Sequence, residues 1–452
     1  MTDVSAVTGE PELKRAIGPK LLFFFVIGDI LGTGIYALTG SVAEVVGGAL
    51  WIPFLVAFVV AFLTAFSYLE LVGKYPRAAG AALYTHKAFG INFLTFMVTF
   101  TVMASGITSA ATAARAFGGT YLREFIALPT WAVGIVFVVG LALVNFRGVG
   151  ESVKANVVLT AIELSGLLLI IAVGVYAVVG GLGEPSRLTE INAGETSAFL
   201  AITAATSLAF FAMVGFEDSV NMAEETHDPP RIFPRAMLAG MGAAATIYVV
   251  VAVLSSMLVP ADELAAAESG ALLRVLQAGA PGFPLPVFAA IGLFAVVNSA
   301  LINMLMASRL LYGMANERIL PRVLGRVHAG RRTPWVSIAV TSLIAVVLVA
   351  VGDISGLGGT TALLLLLVFT IVNIAVLVLR RDPVEHPHFR APTWMPFAGI
   401  LLCGFLVTPL AGQPLERYAI AGVLLAVGAV LWLVNYWFIG RVEVRADRLT
   451  KG

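Results

Sequence analysis

The chain has 452 residues, 59% of them hydrophobic and only 12% charged, and a mean hydropathy of +0.95. Soluble domains hold roughly 45–50% apolar and about 25% charged residues, so a single water-soluble core is excluded. A net charge of +1 gives no excess with which to hold nucleic acid, and the lone cysteine, Cys403, excludes an intrachain disulfide or a multi-cysteine metal centre.

Residues 1–16 read as a cytoplasmic tail with no cleavable leader. Beyond them lie twelve apolar stretches of the length that a hydrocarbon core of roughly 30 Å demands of a helix. They run over 17–40, 49–73, 91–117, 130–146, 153–180, 198–222, 234–259, 283–314, 335–352, 359–379, 394–410 and 417–439. The expected fold is therefore an all-α integral membrane protein.

The first span is interrupted by Gly28, Asp29, Gly32, Thr33 and Gly34 at mid-membrane depth. Glycine weakens a helix by about 0.8–1.0 kcal/mol relative to alanine, and unwound backbone survives at that depth only when buried or lining a cavity. Close helix packing by small residues accounts for Gly28 and Gly32 equally well. In the third span Thr101, Ser105, Thr108 and Thr112 share one helix face, which fits pocket lining and hydroxyls bonded back to their own helix alike. Asn156, Thr160 and Glu163 share a face of the fifth span. A carboxylate at the centre of a membrane helix costs on the order of 2.5–3.5 kcal/mol, so Glu163 is expected to face a partner, a cavity or a proton path. Asp29 lies at similar depth, and the two can share a proton or a cation.

The sixth span again sets a glycine and acids inside an apolar run, at Phe211-Ala212-Met213-Val214-Gly215-Phe216-Glu217-Asp218. Two interruptions five spans apart predict an inverted repeat whose broken helices 1 and 6 meet at the midplane. The expected organisation is a first repeat over 17–180, a second over 198–380, two further spans over 394–440 and a cytoplasmic tail over 441–452. All but five of the 28 Lys and Arg residues fall on the side of the two termini, the exceptions being Arg115, Arg123, Arg187, Arg274 and Arg417. The positive-inside bias then makes both termini cytoplasmic. Glu44 and Glu70, near span ends, read as structural or interfacial.

Five segments in order resemble the amino acid–polyamine–organocation superfamily of permeases: Gly32 to Tyr36, Tyr75 to Ala82, Asn145 to Gly148 with Ser152, Phe211 to Ala236, and Ser308 to Pro321. The resemblance implies a LeuT-like five-plus-five repeat and alternating access at the plasma membrane. It implies that Gly32, Thr33 and Gly34 take the substrate carboxylate and that carbonyls from Ala212 through Met213 and Val214 to Gly215 take the amine. Phe211 stands where the family has an aromatic gate, and Ser299 and Asn303 fall on the site-facing part of the eighth helix. Proton-coupled relatives often carry a lysine in the fifth helix where Glu163 stands here, a departure that keeps proton coupling through another residue and leaves sodium coupling and exchange open. Asp29, Glu163 and Glu217 are the candidates for ion or proton coupling. Asp218 is unusual at its place, and the surplus of buried acids points toward a cationic amino acid or polyamine, whereas helix-end bonding is the simpler role for Glu217.

The expected partners are thus an amino acid or amine, the lipid bilayer and protons or sodium, with a homodimer left open. No cofactor, metal-ligand cluster or nucleotide-binding Gly-x-x-x-x-Gly-Lys-Ser/Thr motif is expected. A membrane enzyme and a nutrient sensor that binds without transport are the competing classes.

Overall fold

A computed structural model describes residues 17–77, 80–147, 152–192, 194, 197–223, 225–316, 320–331 and 333–439. Both expected tails, and Ala78, Ala79 and Gly148 of the sequence motifs, lie outside them. The regular secondary structure of the described residues is helical apart from one isolated β-bridge. In chain order the helices are α1 (Pro19–Ile30), α2 (Thr33–Val46), α3 (Trp51–Lys74), α4 (Gly80–Phe89), α5 (Asn92–Phe117), α6 (Thr120–Arg123), α7 (Thr130–Arg147) and α8 (Ser152–Val179). After them come α9 (Ala198–Ala209), α10 (Pro229–Leu258), α11 (Ala261–Ala266), α12 (Ala271–Gly279), α13 (Leu285–Asn316), α14 (Trp335–Val351), α15 (Ile354–Leu379), α16 (Trp394–Val407) and α17 (Leu415–Ile439).

Ten stretches among the described residues are long and apolar enough to cross a bilayer, and α14 and α16 are shorter apolar helices of 17 and 14 residues where the ninth and eleventh spans were expected. Three boundaries differ from the hydropathy reading. The first stretch continues as helix to Val46. Helix α10 starts at Pro229 and takes Pro234 inside it, because paired prolines at a first turn have the right φ and need no N–H there. Helix α15 starts at Ile354, capped by Asp353, whose carboxylate accepts the Gly356 N–H at 2.6 Å.

The buried apolar side chains form two separate clusters. One draws chiefly on α1, α2, α3, α8, α9, α10 and α12, the other chiefly on α5, α7, α14 and α17, and α13 and α15 contribute to both. Between α10 and α13 the chain folds α11 and α12 over α2, where Gly40 abuts the carbonyls of Leu264 and Glu268. Only the cation Arg274 had been read from that segment, whose apolar face of Leu272, Leu273, Val275 and Leu276 is buried.

Candidate functional site

The first break lies at Leu31 and Gly32, between the end of α1 and the start of α2. A helix start leaves its first N–H groups without intrahelical partners, and no side chain caps α2. The last carbonyl of α1, on Ile30, accepts the Tyr248 hydroxyl of α10 at 2.6 Å, and the Tyr36 carbonyl accepts the Tyr121 hydroxyl at 2.8 Å. Tyr36 in turn donates to the Glu163 carbonyl at 2.7 Å. Sequence reasoning passed over Tyr248 and Tyr121, since nothing local marks a tyrosine that serves a carbonyl more than eighty residues away. Tyr248→Phe should cost about 1–3 kcal/mol, the expense of an unpaired buried carbonyl. Thermal unfolding in detergent measures it, and an unchanged midpoint would show that the bond carries no weight.

The second break follows α9. Residues Phe210–Met213 tighten into a 3-10 turn, Val214 is extended, Gly215 takes a φ of +122°, and a second 3-10 turn runs over Asp218–Met222. This leaves the carbonyls of Ala212 to Val214 outside any α-helical ladder. Glu217 stabilises the turn by accepting the Gly215 N–H at 2.9 Å. The breaks touch: a Cβ on Gly34 would overlap Ala212 Cα, and one on Gly215 would lie 2.7 Å from the Asp29 carbonyl oxygen. On the side where the chain begins, Ile17 donates its N–H to the Glu225 carbonyl at 2.9 Å and accepts that of His227 at 3.0 Å, so α1 is also tied to the exit of the sixth span.

A small, partly open cavity lies between the breaks and is lined by Asp29, Gly32, Thr33, Gly34, Phe211, Val214, Gly215, Ser299 and Asn303 among others. Ala212 and Met213 are buried without lining it, Ala212 being packed on Gly34. Ser109 and Asp218 line it. Val214, Asp218 and Asn303 also line a second cavity that reaches Glu217, Ser105 and Met306. The cavities run between the two apolar clusters. In the third span Thr101, Ser105, Thr108 and Thr112 each donate to a carbonyl of their own helix, and only Ser105 of the four lines a cavity. Ser109, which does face the first cavity, was hidden by the same small-residue composition.

Behind Gly32 sits a buried polar nest. Glu163 is fully buried, and its Oε1 is 3.9 Å from where a Gly32 Cβ would stand. Thr160 abuts Gly28, and Asn156 donates to Asn298 at 3.4 Å. Thr160 Oγ1, Thr33 Oγ1 and Asp29 Oδ2 lack a protein hydrogen-bond partner, and Asn298 is the side chain placed to bond Glu163. Asn156, Thr160 and Glu163 thus share one buried face. Among the described residues no group of His, Cys, Asp and Glu suits a metal ion.

A family model described as amino acid permease matches residues 17–441. The chain belongs to that family. The permease is 25% identical to the branched-chain amino acid permease of Bacillus subtilis, with 95% of each chain covered. It is 26% identical to the methylthioribose transporter of the same organism, over 88% of this chain and 87% of that one. Mouse cationic amino acid transporter 4 is 28% identical over 84% of this chain and 62% of its own. The permease is accordingly a multi-pass membrane protein and a transporter rather than an enzyme.

Proposed function

We propose that this permease moves amino acids across the plasma membrane by alternating access, as a proton-coupled symporter with twelve crossings and both termini cytoplasmic. The observation that carries the proposal is that the uncapped start of α2 and Phe211, Val214 and Gly215 of the second break line one cavity. A helix N-terminus attracts a carboxylate, and free carbonyls attract an ammonium, so the pair suits the backbone of a zwitterion. Gly32, Thr33 and Gly34 take the carboxylate, the carbonyls of Ala212 to Gly215 take the amine, Phe211 closes over it, and Ser299 and Asn303 complete the wall. The names of the relatives span branched-chain and cationic amino acids and a thiosugar.

The five-plus-five repeat is supported by the way the packing partners correspond. Spans one, two, six and seven lie chiefly in one apolar cluster and spans three, four and nine chiefly in the other, while spans eight and ten contribute to both, so the pairs one and six, two and seven, and four and nine each share a cluster. Rocking the first set of spans on the second opens the cavity to alternate sides.

Coupling is assigned to Glu163 with Asp29, and Glu217 holds the second break. Unfilled buried polar groups cost about 1–3 kcal/mol each, which a bound proton or cation in the nest offsets. Uptake of labelled amino acids into proteoliposomes under imposed proton or sodium gradients tests the proposal. Accumulation driven by an inward proton gradient is expected, and Glu163→Gln should abolish the pH dependence of uptake while sparing binding. Unchanged pH dependence in that variant removes Glu163 from coupling. Binding without uptake would make the chain a sensor.

A further inference from the structure

The charge lining the cavities is one-sided. Asp29, Glu217 and Asp218 contribute side chains, and no Lys, Arg or His lines either cavity. One of the three acids is engaged at the breaks: Glu217 holds the Gly215 N–H at 2.9 Å, while Asp29 lies beside Gly215 with its Oδ2 unpartnered. Asp218 uses its backbone N–H to reach the Gly215 carbonyl at 3.0 Å, and its carboxylate has no hydrogen bond among the described residues. It stands at the neck shared by the cavities, with Val214 and Asn303. An independent feature marks the first cavity as a ligand site: Thr33, only 1% exposed, lines it with an Oγ1 that has no protein partner.

A ligand with no net charge leaves this surplus unbalanced, because its carboxylate goes to the start of α2 and its ammonium to the carbonyls of the second break. Past the neck, Val102, Met306 and Leu365 offer apolar wall to an aliphatic stem. We infer that Asp218 receives the cationic end of a basic amino acid side chain, which makes this a site for amino acids carrying a net positive charge. The inference rests on the transport reading and narrows it. Asp218 is then the residue that determines specificity, and a hydrogen bond between charged groups is worth about 10- to 100-fold in affinity.

The test compares three probes on the full-length protein in proteoliposomes. L-lysine and L-norleucine share a stem and differ by the terminal amino group, and 1,5-diaminopentane keeps both amines of lysine and lacks its carboxylate. Lysine should be preferred over norleucine by at least about 10-fold in the wild type. Asp218→Asn should bring that ratio near one by weakening lysine and not norleucine. Because the wild-type comparison needs no variant, a misfolded Asp218→Asn leaves the inference testable. Norleucine or leucine taken up as well as lysine overturns the inference and leaves amino acid transport standing. Diaminopentane matching lysine overturns the assignment to amino acids. Neither uptake nor binding of lysine, norleucine or leucine overturns the transport reading itself and the inference with it.

Discussion

Gly34→Ala is expected to lower amino acid uptake at least about 10-fold and to reduce the unfolding midpoint in detergent. The added Cβ would overlap Ala212 Cα and stand 2.6 Å from its Cβ. The obstacle is backbone on the facing broken helix and has no rotamer with which to retreat. Overpacking of this kind costs about 1–3 kcal/mol when the surroundings yield. Here yielding means moving the start of α2 away from the second break, the two ends that the proposed site holds in register. A displacement of an ångström at such a site costs on the order of 10²-fold in a positioned reaction, and a binding constellation is similarly exacting. Gly242→Ala is the control, since nothing lies within 4 Å of its Cβ position; its stability should stay within about 0.5 kcal/mol. Wild-type uptake by Gly34→Ala would show that the breaks do not need this contact.

Glu70→Ala and Arg380→Ala are each expected to destabilise the fold by about 3–5 kcal/mol. The carboxylate accepts Arg380 Nε at 2.8 Å on one oxygen and Nη2 at 2.7 Å on the other, and it also accepts the Ala391 N–H at 2.9 Å. The side chains are only 3% and 10% exposed, so losing one strands the other charge out of water. Arg380 further donates to Thr393 and to the Ala391 carbonyl, which fastens the segment before α16 to the ends of α3 and α15. Lys74 bonds the carbonyls of Leu379 and Asp382, and Tyr75 donates to Asp382 at 2.7 Å. Burial and that bond hold the Tyr75 phenol well above its usual range, so it remains a donor at any working pH. A double-mutant cycle in detergent should show Glu70→Ala/Arg380→Ala losing less than the sum of the singles, with little sensitivity to added salt. Additive losses would mean that the pair does not act as a unit. Deeper in the membrane, Ser67 donates to Asn373 at 2.6 Å and Asn373 to Thr64 at 3.0 Å, so α3 and α15 are joined at two levels.

Much of the architecture was legible because a bilayer imposes a local demand. Each crossing must be apolar over its own length, and a glycine or acid inside such a run is conspicuous wherever it falls. Gly32, Thr33, Gly34 and Gly215 could therefore be singled out from the interruptions, Val214, Ser299 and Asn303 came through the family resemblance, and all of them line one cavity. Glu70 was read as a structural acid from its place near a span end, and the ion pair fits that reading. Boundaries were harder, because prolines at a helix start and an aspartate cap act through backbone geometry that hydropathy does not register, as at Pro229 and Asp353.

By itself the sequence determined the membrane class, the approximate spans and the two interruptions, since those depend on the solvent around each segment. Only the tertiary structure decided that Ala212 turns to Gly34 while Asp218 turns to the cavity neck, because the twist of an unwound segment has no period to extrapolate. It also decided that Tyr248 serves Ile30 from 218 residues away and that Arg380 finds Glu70 across 310. Such pairings come from which helix faces meet, and hydropathy read segment by segment carries no information about its distant neighbours.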